Sequence, residues 1–384
     1  MTYALVPAAV FFAVAALAVP AAAEPVDADA WQRIGRAWFR AGDGPLRDAE
    51  SPAEYADCAK CHPRIAAEWR GSLHANAWSD PLFQASYLRE PEPFCRSCHA
   101  PLSPERKPQG PAARDGISCA VCHVRGGEIY GLRGRARDSA GHAVQATGDL
   151  SSSGFCGGCH QFGFFVLPER RGVPRFEGPH VQQATYAEWA GGRHAAQGIR
   201  CQDCHMAPQR AEGLAPWRSH AFPGADSELL SQAVQVQVEA KAVAQGTEVE
   251  VVLRNRTGHA YPTGDLFRRA LLEVSPAGPT ARPADTRQSL LARVFTRSTG
   301  TSAQHGPWTS NRIADDTRLM AGETRHLRYL LPQTDRVQWV LWDDKMPTPD
   351  PRQTSPSAPT RRRALARGEI AVPWPPAPPT LPRR

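Results

Sequence analysis

Five copies of Cys-x-x-Cys-His, at Cys58–His62, Cys95–His99, Cys119–His123, Cys156–His160 and Cys201–His205, constrain this chain more than any other feature. The pattern is the attachment signature of c-type haem. Two thiols add across the haem vinyl groups, and the adjacent His binds iron from one face. The ten cysteines of the chain are Cys58, Cys61, Cys95, Cys98, Cys119, Cys122, Cys156, Cys159, Cys201 and Cys204, so the motifs consume all of them. Zinc pairing would not require His after every second Cys. Thioredoxin-like redox pairs would be odd at this multiplicity, and a disulfide closed over two residues is tight and reactive. The motifs therefore imply five covalent haem c groups, with His62, His99, His123, His160 and His205 as proximal iron ligands.

The chain begins with an apolar run, residues 1–23, that ends in small residues before Glu24-Pro25. This reads as a secretory signal cleaved near Ala23, although the basic leading residues usual for one are missing. An uncleaved anchor is the competing reading, since a stretch near this length could span a bilayer. Covalent haem attachment takes place outside the cytoplasm, which points to the periplasm. The formal charge of +7 misleads by itself. Haem propionates would add about ten negative charges and leave the loaded protein near about −3. The basic balance is thus no reason to expect nucleic acid as a partner.

Texture divides the rest of the chain. Residues 24–50 hold no motif and contain one short amphipathic stretch, Trp31 to Phe39. Residues 51–224 carry every motif, are rich in Gly and Pro, and lack periodic apolar runs. Such a segment cannot build an ordinary core, so the porphyrins must serve as one and folding must await them. Residues 225–346 change character: Val234, Val236 and Val238 alternate with polar residues, as do Val249, Val251 and Leu253. Period-two alternation marks half-buried strands, and further candidates are 270–274, 290–296, 326–331 and 337–342. Residues 347–384 are Pro- and Arg-rich and read as a disordered tail. An acidic partner or anionic lipid could dock there peripherally, but a solvated tail is the stronger reading. The expected fold class is α+β, an irregular, mainly α multihaem domain followed by a small β-sandwich.

Each motif supplies one axial ligand, and the second decides whether a haem carries electrons or binds substrate. His74 and His194 occupy a repeated stretch, 67–75 (AEWRGSLHA) and 187–195 (AEWAGGRHA), which makes them the foremost distal candidates. Trp69 and Trp189 of that repeat are expected to pack on porphyrin. His180 and His220 lie in Gly/Pro-bounded loops, and His259 follows a strand in Thr-Gly-His-Ala-Tyr-Pro-Thr-Gly. His142 is held in reserve, whereas His305 and His326 read as ordinary histidines of the strand region. Two motifs are entered by Phe-Cys (Phe94, Phe155) and two by Gly-Ile-x-Cys (Gly116, Gly198), so local geometry is expected to repeat.

The stretches Trp-Arg-Gly-Ser-Leu-His (69–74), Phe-Cys-Gly-Gly-Cys-His (155–160), Gly-Pro-His (178–180), Cys-Gln-Asp-Cys-His-Met (201–206), Ser-His-Ala-Phe-Pro-Gly (219–224) and 257–264 together resemble the multihaem cytochrome c-554-like family. That resemblance implies closely stacked haems with mostly His/His iron, and His74, His180, His194, His220 and His259 as distal ligands. Related haem architectures also occur in enzymes, so the resemblance raises both an electron carrier working between redox partner proteins in a respiratory chain and catalysis. A fifth haem and a strand region depart from the simplest members. The alternative is a haem oxidoreductase acting on a small nitrogen or sulfur compound such as hydroxylamine, nitrite or nitric oxide. It would need an open iron face and a cationic pocket, for which Arg193, Arg200 and Arg218 are available. No motif replaces the proximal His, and the electron carrier is preferred to the enzyme.

Overall fold

Every attachment motif sits on a short helix. The structure, a computed structural model, describes residues 55–373 apart from 89–90, 92, 103–115, 136–140, 167–174, 225–227, 265, 280, 297–311 and 346–360. The signal segment, the stretch 24–50 with its expected helix, and His305 lie outside the described residues. The motif helices are Tyr55–Cys61, Pro93–His99, Cys119–His123, Ser153–His160 and Cys201–His205. Between them run Pro63–Arg70, Pro81–Tyr87, Thr185–Ala190 and Arg193–Ala196. Their starts are written locally. Pro63 and Pro81 stand in first turns, where a missing N–H costs nothing. Asp80 Oδ1 accepts the amides of Leu82 and Phe83 at 2.9 Å each.

Apolar packing in this segment comes in small pieces. One cluster joins Trp78, Phe83, Tyr87, Cys95 and Ala100, and another joins Tyr186, Trp189 and Ala195. Short ribbons not anticipated from the sequence thread between the helices. Phe162–Val166 pairs with Arg175–Gln183, and Pro208–Gln209 pairs with Trp217–Arg218.

The C-terminal region is built from strands β1 (Val234–Val243), β2 (Gly246–Asn255), β3 (Arg268–Pro276), β4 (Arg287–Thr296), β5 (Arg312–Asp316), β6 (Thr324–Leu331), β7 (Arg336–Lys345) and β8 (Arg361–Ala371). They form an antiparallel sheet in the order β5-β4-β3-β7-β8 and a second in the order β6-β2-β1. Alternation explains the burial between them: Val249, Val251 and Leu253 on β2 and Leu272 and Val274 on β3 are each at 0% exposure. With Leu291, Leu319, Leu331, Val337 and Leu341 they form one continuous core.

The expectation of a disordered stretch over 347–384 is corrected at Arg361–Ala371, which forms β8 on the edge of the larger sheet. Its register sets Ile370 against Val337 and Ala366 against Leu341, and Leu365 and Val372 join the core. The arginines that suggested a solvated tail are used by the fold. Arg361 Nη2 meets Asp80 Oδ2 at 3.0 Å, and the Arg362 guanidinium lies 4.5 Å over the Trp342 ring. Among the described residues no helix is long and apolar enough to cross a membrane.

Candidate metal centres

A carbonyl oxygen can only accept, so a His Nδ1 bonded to one must carry the proton and leave Nε2 free to bind metal. Three of the motif histidines are fixed this way: His99 Nδ1 donates to Ala77 O at 2.7 Å, His123 to Tyr130 O at 2.8 Å and His205 to Pro223 O at 2.7 Å. The same device fixes His220 on Arg218 O at 2.8 Å, His259 on Ala260 O at 2.9 Å and His142 on Ala143 O at 3.2 Å.

The histidines then face one another in pairs. Ring centres are 6.4 Å apart for His62 and His142, 6.3 Å for His74 and His160, 6.2 Å for His123 and His220, and 6.3 Å for His205 and His259. Two imidazoles held trans on one metal at about 2.0–2.1 Å per nitrogen have centres roughly 6.3 Å apart. The four gaps therefore fit an iron between two axial histidines, each pair joining a motif His to one from elsewhere. Burial, with a smaller contribution from neighbouring histidines, lowers the His74 pKa to about 3 and that of His160 to about 4. Burial likewise lowers His259 to about 4. These rings stay neutral near pH 7, the form that offers iron a lone pair.

Among the expected distal histidines, the structure thus sets His74, His220 and His259 opposite motif histidines, and it adds the reserve candidate His142. His194 is placed otherwise. Its ring packs on Gly258, where a Cβ would come within 3.1 Å of its Cβ and Cγ, and its Nδ1 is buried without a hydrogen-bond partner. His180 lies on the Arg175–Gln183 strand, and its side chain is outside the described ones. His326 is exposed beside Glu250 Oε1 at 3.2 Å. Phe83 stacks on the His99 imidazole at 3.7 Å between centres.

Among the described residues the cysteines form no disulfide. Side chains of different motifs nevertheless meet. Cys119 is in hydrogen-bond contact with Cys58, Cys156 with Cys201, and Cys159 with Cys98. Cys122 lies within electrostatic reach of Cys159, and burial pushes its thiol up to about 12. Among the described residues no three His, Cys, Asp or Glu side chains gather around a metal-sized point. When bound, haem supplies one-electron iron chemistry.

The repeated stretches are also repeated structures. Trp69 Nε1 donates to Ile117 O at 2.7 Å, and Trp189 Nε1 donates to Ile199 O at 2.8 Å. Ile117 N in turn donates to His74 O at 2.9 Å, and Ile199 N to His194 O at 2.8 Å. Gly116 and Gly198 precede those isoleucines with φ of +49° and +72°. At Gly116 a Cβ would lie 2.6 Å from His74 O, so only glycine allows the approach. Sequence reading found the repeat but missed its glutamates, Glu68 and Glu188. The signal was there, since both follow Ala and precede the repeated Trp.

Residues 57–124 match the family described as cytochrome c554 and c-prime. The fold is similar to the crystal structure of a penta-heme cytochrome c552 from Thermochromatium tepidum, with a TM-score of 0.63 at 22% identity over 83% of this chain and 99% of that one. A structural-genomics target, with a TM-score of 0.20 at 7% identity over 37% of this chain and 88% of that one, is too distant to inform the fold. No curated protein matched the chain in a sequence search. The family match over residues 57–124 and the shared fold meet the resemblance that the motifs carry, to multihaem c-type cytochromes of the cytochrome c554-like family.

Proposed function

We propose that the protein is a periplasmic electron carrier of a respiratory chain, holding five haems that are mostly bis-His and closely packed. The four imidazole pairs with centres 6.2–6.4 Å apart carry this reading. An iron filled on both faces exchanges electrons but has no position for substrate. The proximal ligands are His62, His99, His123, His160 and His205, and each motif holds its haem through its two cysteines. The distal ligands are His142 for the iron of His62, His220 for His123, His74 for His160 and His259 for His205. His180 is the proposed partner of His99, because the resemblance implies it and the paired histidines are already engaged. In this reading His142 takes the place that the sequence had given to His194.

The cysteine contacts support an order for the haems. The motif of Cys58 adjoins that of Cys119, which adjoins that of Cys156 and Cys159. This last motif also adjoins those of Cys98 and Cys201. The fourth motif would then be a branch point. Cys61 and Cys204 are exposed, which supports the first and fifth haems as the ones that redox partner proteins reach. Arg200 and Arg218 do not offer a free cationic pocket for an oxyanion, since both pair with Asp203, at 3.2 and 3.0 Å.

The test is the mass together with the optical and paramagnetic-resonance spectra of the oxidised, exported protein. The expected result is a mass gain of five haems and low-spin iron throughout. A high-spin centre that binds cyanide within mixing time would overturn the carrier reading in favour of catalysis at an open haem.

A further inference from the structure

Glu68 and Glu188 each make contacts that a structural helix residue does not need. Glu68 reaches from the Pro63–Arg70 helix across a long sequence separation. Its Oε2 accepts the backbone N–H of His220 at 2.7 Å, and its Oε1 accepts Trp217 Nε1 at 2.9 Å. Glu188, at the same place in the second copy, uses Oε2 to accept Ala260 N at 3.2 Å and Thr263 Oγ1 at 2.7 Å. Its Oε1 meets Arg318 at 2.8 Å and Arg293 at 3.1 Å. Both glutamates therefore hold the segment of a distal histidine, His220 itself in one case and the residue after His259 in the other.

The tryptophan next to each glutamate holds the other side of the same metal centre. Trp69 bonds the carbonyl of Ile117, two residues before Cys119, whose motif ends at His123. His123 is the residue facing His220. Trp189 bonds the carbonyl of Ile199, two residues before Cys201, whose motif ends at His205. His205 faces His259. The correspondence holds twice, with distal histidines from different parts of the chain.

We propose that each Glu-Trp pair is a bracket that sets the span between the two axial ligands of one iron, with Glu68 and Glu188 as positioning residues for His220 and His259. The proposal rests on the bis-His reading above and adds what fixes the ligands in place. A carboxylate is required at both sites because both of its oxygens accept. Glutamine would present one acceptor and an NH₂ that faces a donor. The loss would leave a buried N–H or guanidinium without its partner.

The experiment compares paramagnetic-resonance spectra of oxidised holoprotein carrying Glu68→Gln, Glu188→Gln, His220→Met or His259→Met. The two histidine variants identify which low-spin signal belongs to each pair. Glu68→Gln is expected to shift the signal that His220→Met removes, and Glu188→Gln the one that His259→Met removes, with the other signals unmoved. A loosened helix with no role toward the ligands would not select one signal. Should a glutamine variant fail to accumulate, Glu68→Asp and Glu188→Asp keep the charge, shorten the reach, and are expected to move the same signals less. Glutamate variants that leave every signal in place, or move a different one, overturn the bracket while the ligand assignment stands. Histidine variants that remove no signal overturn the ligand assignment and the bracket with it.

Discussion

Leu253, Leu272 and Leu341 are at 0% exposure in one apolar layer between the two sheets. Among its described residues the motif segment gathers separate groups, around Trp78, Phe83 and Tyr87 and around Tyr186 and Trp189. Among its described residues, imidazole pairs lie with ring centres 6.2–6.3 Å apart. The strand region thus carries its interior in its own side chains, and hydrophobic burial is enough to specify it. The motif segment buries imidazoles such as His74, His160 and His259, an arrangement that burial alone opposes and that a bound cofactor would reverse. One chain thus joins a part whose interior is apolar side chains to a part whose interior is buried imidazole.

The largest effect should come from withholding haem. Chain produced without haem attachment is expected to lose helical circular dichroism from residues 55–224, while the strand region survives as a protease-resistant fragment. Limited proteolysis followed by mass spectrometry checks this. A motif segment that stays resistant without haem would break the comparison at its root. A single truncation in the apolar layer should act in the opposite place. Leu272→Ala is expected to destabilise the strand region by about 2–5 kcal/mol. The denaturant midpoint should fall with haem spectra unchanged under native conditions. A spectral change without denaturant would show that the two parts are not separable in this sense.

Legibility followed the same division. The strands were readable because Val234, Val236 and Val238, and again Val249, Val251 and Leu253, announce a two-residue period that one buried face requires. β8 was not, because it opens on three consecutive arginines, and the partners of two of them, Asp80 and Trp342, are remote in sequence. The attachment motifs were legible as covalent chemistry at fixed spacing. The histidines that come to lie opposite them were only partly so, since such a contact depends on distant parts of the chain rather than on a neighbouring pattern. His142 and His194 show the limit. The repeat favoured His194, yet the second copy presents its ring to Gly258, while His142, in no repeat, comes to face His62. The glutamates of the repeat were visible, but what they hold arrives from residues 217–220 and 260–263.

The smallest expected effect lies where the two parts meet. Arg293 and Arg318 bridge Glu188 of the motif segment to Asp316 of β5, with Arg318 Nε on Asp316 Oδ1 at 2.8 Å and Arg293 Nε on Oδ2 at 3.2 Å. Burial alone would raise the Asp316 carboxyl, but the hydrogen bond and charge of Arg318, with the charge of Arg293, outweigh it and leave its pKa below the usual value. A carboxylate whose pKa is depressed on folding contributes stability above its unfolded pKa, near about 3.9. It loses that contribution as pH falls through the lower folded value. Asp316→Asn should therefore cost about 1 kcal/mol at pH 7, since the pair is partly screened by solvent. The gap between wild type and variant should begin to narrow on acidification to about pH 3, below the unfolded pKa. Paired denaturation curves at the two pH values measure it. A gap that persists unchanged in acid would show that Asp316 acts by shape and hydrogen bonding alone, and that charge does not help join the strand region to the haem-bearing one.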